Sequence, residues 1–163
     1  MKFFTFSEFE QSLTASLCGF DNEAPGDARR NIEYFVNSLL DPLREAMDFP
    51  LIITSGYRCS EVNRSIGGSP TSQHLLGLAA DFRPNYTSTE QMAERMAKIR
   101  RWFKDKLEAR AYTLQLEQDW VGEEWDQLID YGKFFHVGVR PEGSTNRFQM
   151  MKWNSYGQGY RKD

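Results

Sequence analysis

The chain has two histidines, and both stand where they could do chemistry. His74 lies in Ser72-Gln73-His74-Leu75-Leu76-Gly77-Leu78-Ala79-Ala80-Asp81, an S-x-H-x-x-G-x-A-x-D string, and His136 lies in Phe134-Phe135-His136-Val137-Gly138-Val139. Two imidazoles and one carboxylate make a three-ligand set that leaves a fourth position open for water, as in a catalytic zinc site. Taken singly, a buried histidine is more often a satisfied core group, and a strand aspartate can cap a turn. Their conjunction with matched flanking residues favours His74, Asp81 and His136 as metal ligands. Cys59 is a further candidate by chemistry. A fourth protein ligand would close the site to water, however, so Cys59 is read as a small buried residue.

These residues need strands to hold them. Side chains alternate faces along a strand. In residues 77–82, Gly77, Ala79 and Asp81 share one face and Leu78, Ala80 and Phe82 the other, which reads as the core face. The segment 134–139 repeats the design, with His136 and Gly138 opposite Phe135, Val137 and Val139. Small residues beside each ligand leave room for a metal, water and substrate. His74 precedes its strand, and a turn through Gly77 would bring its ring back over Asp81.

Around this frame, one helix is expected over 6–17, opened by a Ser7/Glu10 capping box with Phe6, Phe9, Leu13 and Leu17 on one face. A second is expected over 28–47, with Pro42 kinking or splitting it, a short one over 60–66, and another from Ser88 to about Leu107. Strands are expected at 51–54, 77–82, 112–117, 126–131, 134–139 and 148–153, the last pairing with 134–139 across the Pro141–Asn146 loop. Helices precede most strands, so the expected class is α+β, with a small antiparallel sheet flanked by helices. One domain over 1–153 with a frayed tail at 154–163 fits 163 residues.

The net charge of −3 and pI near 5.5 argue against a general nucleic-acid partner. Arg100 and Arg101 share their helix with Glu90, Glu94, Asp105 and Glu108, which reads as a solvated face. No stretch approaches a membrane span or a signal peptide, so no membrane partner and cytoplasmic synthesis are expected, with action on the cell wall only if released. Cys18 and Cys59 form no C-x-x-C motif and read as free thiols. A monomer is expected.

A longer pattern runs through Leu39-Leu40-Asp41-Pro42-Leu43-Arg44, Pro50-Leu51-Ile52-Ile53-Thr54-Ser55-Gly56-Tyr57-Arg58, Asn63, Gly67-Gly68, the His74 string, Asp126-Gln127-Leu128-Ile129 and His136-Val137. Over about 39–139 it resembles the D-Ala-D-Ala carboxypeptidase/Hedgehog-like zinc peptidases, most of all the small branch found in bacteriophages and prophages. The resemblance implies zinc on His74, Asp81 and His136. It also implies cleavage of a peptidoglycan stem peptide next to a D-amino acid, as an endolysin-like carboxypeptidase or L-Ala–D-Glu endopeptidase. It places Arg58 against the substrate carbonyl; the alternative is a structural ion pair. Ser72 either orients substrate or hydrogen-bonds its own turn. Many relatives carry a carboxylate three residues before the last histidine, where this chain has Lys133. The acidic residue nearest that place is Asp130, expected to face the metal as general base if 131–133 is a turn, or else to be a solvated turn residue. The Hedgehog branch also admits a non-catalytic, metal-holding module. Residues 68–71 and 112–125 are the stretches expected to choose the bond.

Overall fold

A computed structural model describes residues 1–116, 118, 122–153 and 160–162. The chain opens with two short helices, α1 (Phe6–Glu10) and α2 (Leu13–Cys18), where one helix over 6–17 is expected. Gln11 turns extended, and the Ser12 side chain caps Ala15, restarting the helix. The restart rotates Leu13 and Leu17 away from the face of Phe9, leaving them 76% and 77% exposed. The capping box of α1 belongs to Thr5 and Glu8, two residues before the expected pair.

Helix α3 (Gly26–Phe35) runs through a widened π turn at Val36–Leu40 into α4 (Asp41–Ala46). There the Asp41 N–H reaches back to the Val36 carbonyl. A proline at 42 cannot donate to residue 38 and would crowd its carbonyl, and the wider turn absorbs that misfit without ending the helix. Pro42 therefore interrupts the α-helical hydrogen bonding of the expected helix while the chain stays helical through the π turn. Ile32, Phe35, Leu39, Leu40 and Leu43 are fully buried along this run.

Strand β1 (Leu51–Ser55), helix α5 (Ser60–Ser65), a single 3₁₀ turn (Gln73–Leu76) and strand β2 (Ala79–Pro84) follow. Helix α6 (Thr89–Gln115) starts where its sequence says, with the Ser88 hydroxyl accepting the Gln91 N–H. It continues past Leu107 to Gln115 and absorbs most of the strand expected at 112–117. No glycine or proline lies between Leu107 and Leu116 to stop it. Tyr112, Leu114 and Leu116 stay exposed, so no sheet competes for that segment.

Four more strands complete the sheet: β3 (Gln127–Asp130), β4 (Phe135–Gly138), β5 (Gln149–Trp153) and β6 (Tyr160–Lys162). The order is β1-β2-β4-β3-β5-β6, antiparallel except between β3 and β5. The expected pairing of 148–153 with 134–139 does not occur. Both edges of β4 are taken, by β2 and β3, so β5 adds to the free edge of β3 and runs parallel to it. Residues 160–162 pair with β5 where a frayed tail is expected; 154–159 and 163 lie outside the described residues. The class is α+β, as the element pattern predicts. Among the described residues, no helix is long and apolar enough to cross a membrane.

Alternation along the strands separates core from site. Leu78, Ala80, Phe82, Phe135 and Val137 are fully buried and join one hydrophobic cluster with α3, α4 and α6, where Met96, Ile99 and Phe103 line the buried face. The side chains of Asp81 and His136 point the other way. The chain reaches β2 through Gly77, whose φ is +73° and whose missing Cβ would lie 2.6 Å from the Ala28 carbonyl oxygen and 2.9 Å from Ile32 Cγ1. Left-handed backbone and close packing both demand glycine there. Gly77→Ala is expected to lower unfolding free energy by about 2–4 kcal/mol. A urea midpoint within error of wild type would contradict this account.

Candidate metal centre

The site is built on one cross-strand pair. Asp81 of β2 faces His136 of β4 directly across the ladder, and strand parity turns both side chains to the face opposite the core. His136 Nδ1 lies 2.8 Å from Asp81 Oδ1. His74 reaches the pair from the 3₁₀ turn before β2, with Nε2 3.3 Å from His136 Nδ1 and 3.4 Å from Asp81 Oδ1. The three expected ligands are thus brought together, and they form a group that could hold a metal ion.

The donor set fits. Zinc bonds of about 2.0–2.1 Å at tetrahedral angles put neighbouring donor atoms roughly 3.3 Å apart. Two of the separations here match that spacing, and the third is shortened by a hydrogen bond. His74 Nδ1 lies 2.6 Å from the Gly56 carbonyl oxygen. A carbonyl can only accept, so Nδ1 carries the proton and Nε2 presents its lone pair to the cluster, the usual outer support of a metal-binding histidine. Burial lowers the pKa of His74, more strongly than Asp81 raises it, which keeps the ring in the neutral form that ligates. For Asp81, burial pushes the carboxyl upward, but the hydrogen bond with His136, with the His74 imidazole alongside, outweighs it and holds it well below the usual carboxylate range.

Arg58 satisfies the other oxygen. Its Nη2 donates to Asp81 Oδ2 at 2.7 Å, its Nε to the Ser55 hydroxyl, and its backbone N–H to the His74 carbonyl. The ion-pair alternative for Arg58 is therefore real, and its partner is one of the three clustered residues. The loop carrying Arg58 is pinned by residues whose part the sequence did not disclose. Asn22 donates to the Glu10 and Tyr57 carbonyls and accepts from the Cys59 N–H. Gly56 lies so close to α1 that a Cβ would meet Phe9 Cα at 2.5 Å. Cys59 caps α5 through its Sγ and lies outside the ligand group.

A cavity of about 590 Å³ opens over the cluster. Arg58, Ser72, His74, Asp81 and His136 line it, as do Gly68, Ser69 and Thr71 from the 68–71 stretch. Asn63 braces that stretch, donating to the Ser69 carbonyl, and a Cβ on Gly68 would lie 2.2 Å from Asn63 Oδ1. Residues 112–115 of the other expected stretch belong to α6, and 117 and 119–121 lie outside the described residues. Ser72 sits on the cavity wall, and its carbonyl accepts the Leu75 N–H, so its backbone serves the turn. The space beside His136 is used differently from the expectation. The Gln73 amide fills it, with Oε1 2.3 Å from where a Gly138 Cβ would be and Nε2 donating to the Val139 carbonyl.

Asp130 is not brought to the cluster. It lies one residue past Ile129, the residue opposite His136, so parity sends its side chain to the α6 side. There Arg100 donates to both of its oxygens, and the Gly132 N–H caps Oδ1 at 2.7 Å. The turn expected at 131–133 does form, with Tyr131 and Phe134 stacked 4.5 Å apart, but it cannot reverse the parity of the strand before it. Lys133 is exposed on that turn.

Among the described residues, the carboxylates lining the cavity are Asp81 and Asp126. Asp126 is 1% exposed and accepts from Gln73, from Arg140 Nε, and from the backbone N–H, Nε and Nη2 of Arg147. Burial raises its pKa, but the Arg147 and Arg140 guanidiniums prevail and hold it below the ordinary value. Arg147 precedes Phe148, a bulky residue held at φ +55°. Gln73 and Asp126 both belong to the sequence pattern, yet neither spacing nor residue type announced that they meet.

Asp130→Asn is expected to cost about 1 kcal/mol of stability through the weakened Arg100 pair. Metal affinity is expected to stay unchanged. A tenfold or greater loss of metal affinity would return Asp130 to the site.

No curated protein matches the chain. A model of the family described as Peptidase M15 matches residues 2–109, two thirds of the chain, and includes Arg58, His74 and Asp81. The match ends within α6, before His136, so the third member of the cluster is supplied by the fold beyond the matched segment. The chain belongs to the Peptidase M15 family.

Proposed function

We propose that the protein is a zinc-dependent peptidase that hydrolyses peptidoglycan stem peptides next to a D-amino acid. The observation that carries this reading is the convergence of His74 Nε2, Asp81 Oδ1 and His136 Nδ1 at zinc-ligand spacing, in the floor of a cavity that Arg58 also lines. Bound there, zinc would supply Lewis acidity, polarising a carbonyl and making water ionisable near neutral pH.

The chain's own residues would do the rest. Asp81 is oriented by Arg58 through Oδ2, so its Oδ1 stays directed at the cluster. Two of the three guanidinium nitrogens of Arg58 are engaged by Ser55 and Asp81, and Nη1 would donate to the scissile carbonyl oxygen as negative charge develops on it. Its fixed planar charge suits that task better than a lysine would. Ser72, on the cavity wall, would hydrogen-bond the substrate backbone. The endolysin-like role and phage or prophage origin implied by the sequence resemblance belong to the same proposal.

One observation favours a second reading, a non-catalytic metal-binding module of the same fold. The two cavity carboxylates among the described residues are both fully engaged, Asp81 by Arg58 and the imidazoles and Asp126 by its arginines. One assay separates the readings: turbidity loss of purified bacterial cell walls, with metal content measured in parallel. The peptidase clears walls, stops on chelation and recovers with zinc, whereas the module binds walls and zinc without clearing them. His136→Ala is expected to drop zinc below stoichiometric occupancy and abolish clearing. Arg58→Lys is expected to keep zinc and to lose about 10²-fold in kcat; full activity in that variant would remove Arg58 from the mechanism.

A further inference from the structure

Two arginines share one buried carboxylate beside the cluster. Asp126 is almost fully enclosed, yet the Arg147 and Arg140 side chains bound to it are 43% and 42% exposed. Arg147 commits Nε and Nη2 to Asp126 and Arg140 commits Nε, so among the described residues each guanidinium keeps N–H donors that are not engaged, and Arg147 lines the cavity. One negative charge faces two positive ones. Glu124, two residues before Asp126, is engaged by the Asn146 amide, whose oxygen accepts the Arg140 backbone N–H.

Position gives this pair meaning. The Asp126 N–H donates to the Gly138 carbonyl, two residues along β4 from His136. At about 3.3 Å per strand residue, that is roughly 7 Å from the cluster. In the sheet order β1-β2-β4-β3, Arg58 approaches from the β1 and β2 side and Asp126 from the β3 side. An extended peptide advances about 3.3–3.6 Å per residue. A chain laid over the cluster with its scissile carbonyl at Arg58 would therefore bring a group one or two residues away to Arg147.

We propose that Arg147, backed by Arg140 and locked in place by Asp126, is a specificity-determining subsite for a free carboxylate one or two residues from the scissile bond of the substrate. A guanidinium pre-set by a bidentate buried pair gives up little freedom on binding and presents a planar fork that matches a carboxylate. Among peptides of one length and sequence, the subsite selects the free acid over its amide. It rests on the peptidase reading above for the identity of the ligand, but its test does not need turnover.

The zinc-loaded full chain is titrated calorimetrically with a stem tetrapeptide bearing free carboxylates and with its fully amidated counterpart, and cleavage of both is followed by mass spectrometry. The acid is expected to bind about tenfold or more tightly, the range of a charge-assisted hydrogen bond. Arg147→Gln is expected to bring the two affinities within about threefold, and Arg140→Gln to reduce the preference partially. Should Arg147→Gln fail to fold around the unpaired Asp126, Arg147→Lys keeps the charge, loses the fork, and must still cut the preference severalfold. Equal binding of acid and amide by wild type, no binding of either, or a preference retained in a folded, zinc-loaded Arg147 variant overturns the subsite. Selective binding of the acid without cleavage of either peptide leaves the subsite standing and overturns the peptidase reading alone.

Discussion

Asp81 is the residue around which the site is organised, because its side chain is only 17% exposed and charged. A carboxylate taken out of water must find a partner for each oxygen or give up its charge. Here the two oxygens are divided. Oδ2 goes to Arg58, and Oδ1 faces the two imidazoles. That division brings three separate pieces of chain to one point: the β1–α5 loop, the turn before β2, and β4. Each piece has its own anchor, in Asn22 and Phe9 for the loop, Gly56 for His74, and the β2–β4 ladder for His136.

The sheet makes that convergence rigid. Asp81 and His136 are directly paired, so the ladder sets the separation of their backbones, and the opposite faces of both strands are sealed into the core by Phe82, Phe135 and Val137. The same parity explains Asp130. One residue separates it from Ile129, and that single step moves its carboxylate through the sheet to Arg100. A carboxylate near His136 in sequence reaches the cluster only if its strand position has the right sign.

Electrostatics at the site follow one pattern. Each inward carboxylate is matched by guanidinium: Asp81 by Arg58, Asp126 by Arg147 and Arg140. Such pairs contribute modestly to stability, since desolvation offsets most of the attraction, but they fix orientation closely. Arg147 and Arg140 also keep Asp126 ionised while much of each side chain stays in solvent.

Much of the site could be read from residue order alone. The meeting of His74, Asp81 and His136 was legible because strand alternation and the His74–Gly77–Asp81 spacing are local properties that any tertiary arrangement must respect, and the Ser88 cap and the Pro42 interruption were legible for the same reason. What tertiary structure decided was every question of which neighbour wins: β5 against β3 once β4 was full, the helix over the strand at 112–115, the break at Gln11, Gln73 in the space of Gly138, and Asp126 with two arginines from beyond β4. Those outcomes depend on edges already occupied and volumes already filled by residues far away in the chain. The sequence by itself therefore determined which side chains could be ligands and which way each faces along its own strand. The packing of distant elements determined what surrounds them, because sheet edges and cavity space exist only once the rest of the chain has folded.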